Sequence, residues 1–347
     1  MRPTTSTYLD LLRFNASGLV FLSHLSIAQL SGGFLWQIQP YGHSAVIVFF
    51  VLSGYVISFT AATKDRTLEQ YAINRLARLY SVVIPAIVLA FLLDRIGMAA
   101  SPDVYLLDRE TAPLLRVGAA VSFLSESWLA DIPLFSDDAF WSLPYEFWYY
   151  VIFAGFTYFA GRRRALVCGA AMLIAGPKIL LLLPTWLFGA VAFRISRYVV
   201  LSPRLAWSLF ILSLGAAVAI GLRPRVTVNL NLFPPNYSPS DYALAAAIGV
   251  NIIAANGIAL WFGGVDRLIR WTAGFTFSLY LFHLPLLHLF SAFIRSENPL
   301  VRGPLIGSAT VISVIFLGLV TEQKKQVVRR WIIRSVTVLK GRFAALH

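Results

Sequence analysis

Apolar runs long enough to cross a bilayer recur along this whole chain, and no other feature constrains its fold as strongly. A helix rises about 1.5 Å per residue and a hydrocarbon core is about 30 Å thick, so a crossing takes roughly 17 to 25 residues. Such windows are read at 10–30, 43–62, 80–98, 139–160, 164–177, 179–195, 205–222, 242–263, 270–294 and 304–322, the fifth and sixth being divided at Gly176-Pro177-Lys178. In lipid the backbone must bond to itself, which makes each run a helix. With 58% hydrophobic and 13% charged residues and a mean hydropathy of +0.72, a soluble domain is excluded. The expectation is an all-α, polytopic membrane helix bundle of about ten transmembrane helices. No linker, low-complexity segment or internal repeat divides it, and Arg13 and Asn15 interrupt the first run in a way that argues against a cleaved signal peptide.

The cations orient the bundle. Short loops rich in Lys and Arg stay in the cytoplasm, and most of the 29 fall into one alternating set: Arg2, Lys64 to Arg78, Arg162-Arg163-Arg164, Arg194 to Arg204, Arg267 with Arg270, and the tail from Lys324. The long segment from Met98 to Asp138 has seven acidic residues and two basic ones and lies opposite. Both termini are therefore expected inside. The net charge of +13 is spread over these loops, with no nucleic-acid-binding motif, and is read as topology and contact with anionic lipid. The tail KKQVVRRWIIRSVTVLKGRF interleaves cations with Trp331, Ile332, Ile333 and Phe343, as an interfacial amphipathic segment does. Cys168 stands alone, without metal-ligand neighbours, and is read as packing.

Polar residues inside such a bundle are costly, which marks them for function. Arg13 and His24 lie eleven positions apart in LDLLRFNASGLVFLSHL, which returns both to nearly one helix face, about 16 Å apart. Snorkelling would explain Arg13 alone and hydrogen-bonded packing His24 alone. Arg75 and Arg78 sit one turn apart at the inner surface, where a guanidinium pair suits a phosphorylated ligand as well as simple anchoring. In FWSLPYEFWYY, Ser142 and Glu146 are a turn apart and Tyr149 and Tyr150 follow. Glu146 is a carboxylate well inside a span and needs a partner, for which His24 is the candidate. Trp141, Trp148 and the tyrosines form an aromatic belt or a stacking surface for a sugar ring. His283 precedes Pro285, where a break or kink is expected. His288 and His43 are more weakly placed, and His347 is terminal. No motif supports a metal site or nucleotide hydrolysis. Ser53-Gly54 lacks the setting of a nucleophile elbow and is read as helix packing.

Together these segments resemble the membrane acyltransferase-3 family, multi-span enzymes that O-acylate cell-surface glycans, nodulation factors and some macrolides. The resemblance covers nearly the whole chain. It is carried in order by Arg-x10-His at Arg13 and His24, by FFVLSGYVIS, by Arg-x-x-Arg at Arg75 and Arg78, by WSLPYEFWYY (the family's WSLxxExxFY) and by FSLYLFHLPL (its SYSLYLxHxPL). Ala45 and Ile47 replace the family's frequent Gly and polar residue, FNASG replaces a small apolar run, and Gln follows Glu322 where a basic residue and Pro are usual. The resemblance implies a membrane acyltransferase domain over 1–322 and a basic cytoplasmic tail over 323–347, without a fused hydrolase-like domain, in the bacterial inner membrane.

It further implies an O-acyltransferase that takes an acyl group, most often acetyl, from acyl-CoA as cytoplasmic co-substrate to a hydroxyl of a carbohydrate or lipid-linked glycan. Arg75 and Arg78 would hold the donor phosphates and Arg13 would guide the thioester arm. His24 would act as general base or acyl carrier, with Glu146 orienting it. Ser142, Trp141, Tyr149, Tyr150 and His283 are candidates for the pocket. A secondary transporter or a noncatalytic glycan-export subunit with an Arg/His/Glu relay is the alternative.

Overall fold

The computed structural model describes residues 3–105, 111–223, 225 and 237–344; Arg2 and His347 lie outside them. Its helices, in chain order, are α1 (Pro3–Leu25), the single turn α2 (Ala28–Ser31), α3 (Gly42–Thr63), α4 (Leu68–Ala100), α5 (Pro113–Ser122), α6 (Ser142–Tyr158), α7 (Gly161–Tyr198), α8 (Pro203–Gly221), α9 (Pro239–Gly257), α10 (Asp266–Ala273), α11 (Thr276–Phe293), α12 (Pro299–Val320) and α13 (Lys325–Ala344). Among the described residues there is no strand, only an isolated bridge between Leu134 and Asp137. Six helical segments are long and apolar enough to cross a membrane by length and composition: Trp36–Thr63, Leu68–Ala100, Gly161–Tyr198, Pro203–Gly221, Thr276–Phe293 and Pro299–Ser335. The chain is therefore a multi-pass membrane protein. Outside that set fall α1, with Asp10, Arg13 and His24, α6, with 17 residues, and α9, whose Asn251 is buried.

Helix ends follow the local sequence. Thr67 caps α4 by accepting from the Gln70 N–H, so this helix starts at Leu68, well ahead of the span read at 80–98. Ser238 and Asp241 form a capping box on α9, with Pro239 in its first turn. At Gly176 the chain leaves helical dihedrals (φ 78°, ψ 169°), where the sequence divides two spans. The loop before α6 fits into that break: the Trp128 N–H reaches the Ala175 carbonyl at 3.3 Å, and Lys178 pairs with buried Glu126 and donates to the Ala130 carbonyl at 3.0 Å. Of the break or kink expected before Pro285, the break does not occur. One helix, α11, runs through it, packed against α4, α12 and α1.

The bundle closes around α3, α4, α6, α7 and α11. The backbones of α3 and α7 touch. A Cβ on Gly54 would sit 2.0 Å from the Trp186 carbonyl oxygen, and one on Gly189 would sit 1.9 Å from that of Val51. Gly54 fills the packing role read for the Ser53-Gly54 pair. On the opposite side α1 lies on α3, α10 and α11, and the basic helix α13 lies along α4, where Arg329 donates to the Asn74 side chain at 2.9 Å.

Candidate active site

Two adjoining cavities share Arg13, Arg78, Thr276 and Phe277. The outer one, of about 210 Å³, is also lined by Asp10, Arg270, Glu322 and Lys325. Four cations against two carboxylates make it an anion-attracting mouth. The inner one is narrow, about 60 Å³, space for a few water molecules. Phe49, Phe50 and Leu52 form its apolar wall, while Ser53, Ser142, Glu146 and Tyr280 supply its polar groups. The Ser142 and Tyr280 hydroxyls are bonded to each other at 2.7 Å. The Tyr280 ring, part of the cavity wall, lies 6.4 Å from that of His283.

Beyond Tyr280 two imidazoles meet. His24 Nδ1 is 2.8 Å from His283 Nε2, with ring centroids 5.0 Å apart. His283 Nδ1 in turn lies 2.8 Å from the Leu279 carbonyl, and Phe21 meets the His283 ring edge-on at 6.2 Å. The partner expected for His24 was Glu146. Glu146 instead accepts from Ser53 Oγ at 2.6 Å and from the Tyr150 hydroxyl in a shorter bond. It faces Arg13 and Arg78 across the cavity and serves as their countercharge. The carboxylate sits one compartment away because its helix face turns it towards α3.

The two arginines of α4 part company. Arg78 lines both cavities, stacks over Phe277 at 5.9 Å and, among the described residues, makes no ion pair. Arg75 is buried at 9% exposure, pairs with Asp65 at 3.1 Å and lies over Tyr71. Asp65 is further held by the Asn74 amide at 2.7 Å. Arg75 is thus a structural tie. Its shared face with Arg78 does not extend to the cavity, since Asp65 draws it aside. Arg13, with Asp10 at 3.6 Å, lines both compartments and is not merely snorkelling.

A family model described as an acyltransferase domain, acyltransferase-3, matches residues 6–319. The chain belongs to the acyltransferase-3 family. It is also similar to the O-acetyl transferase of Shigella phage Sf6, at 29% identity over 154 residues, 42% of this chain and 44% of that one. The match thus spans less than half of that relative's length. No solved structure matches significantly.

Within this member of the acyltransferase-3 family, the remaining sequence candidates divide by position. Tyr150 and Ser142 belong to the inner cavity's hydrogen bonds. Tyr149 does not: it is fully buried, its hydroxyl spent on the Ile179 carbonyl at 2.9 Å. Trp141 stacks on His43 at 5.6 Å, and His43 meets Asp241 at 3.2 Å; none of the three lines either cavity. Sequence reasoning passed over Ser53, Tyr280, Glu322 and Lys325 as site residues, and took Arg270 for topology alone. Tyr280, one turn before His283 within FSLYLFHLPL, carried the clearest overlooked signal.

Proposed function

We propose that this protein is a membrane O-acyltransferase that moves a short acyl group, acetyl in the first instance, from cytoplasmic acyl-CoA to a hydroxyl of a carbohydrate or lipid-linked glycan. In this reading the bundle crosses a bacterial plasma membrane about ten times, α7 crossing twice about Gly176, with both termini inside. The observation that carries it is the cationic mouth opening along Arg13 and Arg78 into the narrow compartment, whose wall residue Tyr280 lies against the His24–His283 pair. The donor's phosphates would meet Arg78, Arg270 and Lys325, where charged hydrogen bonds are strongest. Arg13 would steer the pantetheine arm into the narrow compartment, and Glu146 would hold the two inner guanidiniums in place until an anion replaces it.

His24 would take the proton of the acceptor hydroxyl as its oxygen attacks the thioester carbonyl. The C–S bond breaks as the tetrahedral intermediate collapses, and the thiolate leaves with the proton that His24 returns. Support for the reaction class comes from the family membership and from the phage O-acetyl transferase. The direct test is purified protein with radiolabelled acetyl-CoA and envelope glycans: label should enter the glycan, and His24→Ala should abolish this while membrane insertion persists. Gradient-driven uptake without acyl transfer would establish the transporter instead.

A further inference from the structure

We infer that His283 is a positioning residue: it fixes His24 in one tautomer and aims the free ring nitrogen of that histidine at the reacting hydroxyl. The inference rests on the proposed role of His24 but reaches a residue and a proton position that role does not specify. A peptide carbonyl carries no proton, so the contact of 2.8 Å between His283 Nδ1 and the Leu279 oxygen requires the proton on Nδ1. A neutral imidazole protonated there has a lone pair on Nε2. That nitrogen lies 2.8 Å from His24 Nδ1, so the bond between the rings exists only if His24 Nδ1 donates. His24 Nε2 is then left as the ring's lone-pair nitrogen, the state a general base needs.

The opposite assignment fails on the same geometry. His283 protonated on both nitrogens would be a cation at 0% exposure, with no carboxylate in ion-pair range among the described residues. It would also make His24 Nδ1 the acceptor and move the His24 proton to Nε2, where it could not receive another. The His283 ring is fixed on two further sides, by Phe21 edge-on and by Tyr280 at 6.4 Å. When His24 takes up the substrate proton, its Nδ1–H keeps the bond to His283, and the imidazolium forms without reorganisation. In a serine-protease triad a carboxylate performs this orienting task, and loss of the correct tautomer there costs on the order of 10⁴ in turnover. Here a backbone carbonyl acts through a second imidazole.

The variants are His283→Gln, whose amide oxygen can still accept near the lost Nε2, and His283→Phe, which fills the space and accepts nothing. Nitrogen-15 NMR of histidine-labelled full-length protein in bilayers, with His24→Ala to assign the signal, should find His24 protonated at Nδ1 in the wild type and the Gln variant. That preference should disappear in the Phe variant. With acetyl-CoA as donor, His283→Phe should lower kcat at least 100-fold with the donor KM unchanged, and His283→Gln should recover to within about tenfold of wild type. A wild-type His24 protonated at Nε2, a Phe variant with near-normal kcat, or a Gln variant as slow as Phe would each overturn the inference. The tautomer measurement stands apart from the His24→Ala assay, so failure of the base assignment and failure of the positioning role are distinguishable.

Discussion

Arg75→Gln and Arg78→Gln alter neighbouring turns of one helix, yet they should fail in different assays. Arg75 and Asp65 form a buried pair, Asp65 at 1% exposure. Removing one member of such a pair costs about 3 to 5 kcal/mol, because the other charge stays buried without its partner. The Asn74 amide still donates to Asp65 at 2.7 Å, which puts the expected loss at the lower end, about 3 kcal/mol. Arg78 has no such partner among the described residues and faces both cavities. Its loss should leave the fold intact and remove one charge-assisted bond to the donor, about 1.5 to 3 kcal/mol, or roughly tenfold to a hundredfold in affinity. Thermal unfolding in detergent, followed by tryptophan fluorescence, should show Arg75→Gln several degrees below wild type and Arg78→Gln unchanged. Acetyl-CoA titration should reverse the order. Asp65→Asn combined with Arg75→Gln should recover part of the melting loss, since no charge is then stranded. An Arg75→Gln protein that melts normally but binds acetyl-CoA tenfold more weakly would return both arginines to the donor site and refute the reasoning.

His24→Ala should reduce acyl transfer by at least ~10² to 10⁴, the range of a lost general base, with expression intact; near-normal turnover would reject the assignment. Glu146→Gln removes an anion from a cationic cavity, so the donor KM should stay equal or fall, and a KM that rises would mean the carboxylate contacts the donor favourably. Gly176→Ala should cost about 1 to 3 kcal/mol in stability, because φ is 78° and the new Cβ would lie 2.7 Å from the Trp128 nitrogen; an unshifted melting curve would contradict the close packing of that break. A cysteine at Arg163 should be protected from an impermeant maleimide in intact cells while one at Asp103 reacts, and the inverse pattern would overturn the inside placement of the termini.

The helix bundle was legible because lipid leaves so few choices: each apolar run has to satisfy its own backbone, and Gly176-Pro177 announces the break in α7. Arg13, His24 and Glu146 stood out for the cost of burying them. What the sequence concealed was pairing. A periodic pattern places Arg75 and Arg78 on one face, but whether a nearby loop supplies Asp65 is a tertiary fact. It likewise brings Glu146 to the right depth while leaving open whether His24 or Ser53 meets it. Arg270 and Lys325 were hidden for a different reason, since a cation that binds phosphate and one that anchors a loop leave the same mark in a sequence. At Pro285 local chemistry allowed a break or a kink, and the helix continues through it, packed on three neighbours.

A bundle that admits a polar cavity from one side must still insulate. In the proposed orientation the mouth and the narrow compartment bring water and guanidinium charge well into the bilayer's thickness, so the membrane voltage falls mainly across the protein that remains beyond them. A full voltage of 100 mV is worth about 2.3 kcal/mol for each unit charge that crosses it. The hydrogen bond between the Ser142 and Tyr280 hydroxyls lies on the wall of that compartment, beside the histidine pair. In the proposed reading, protein packed beyond that wall would keep ions from following an acyl-CoA donor inward, so that a highly charged co-substrate could be drawn from the cytoplasm without short-circuiting the membrane.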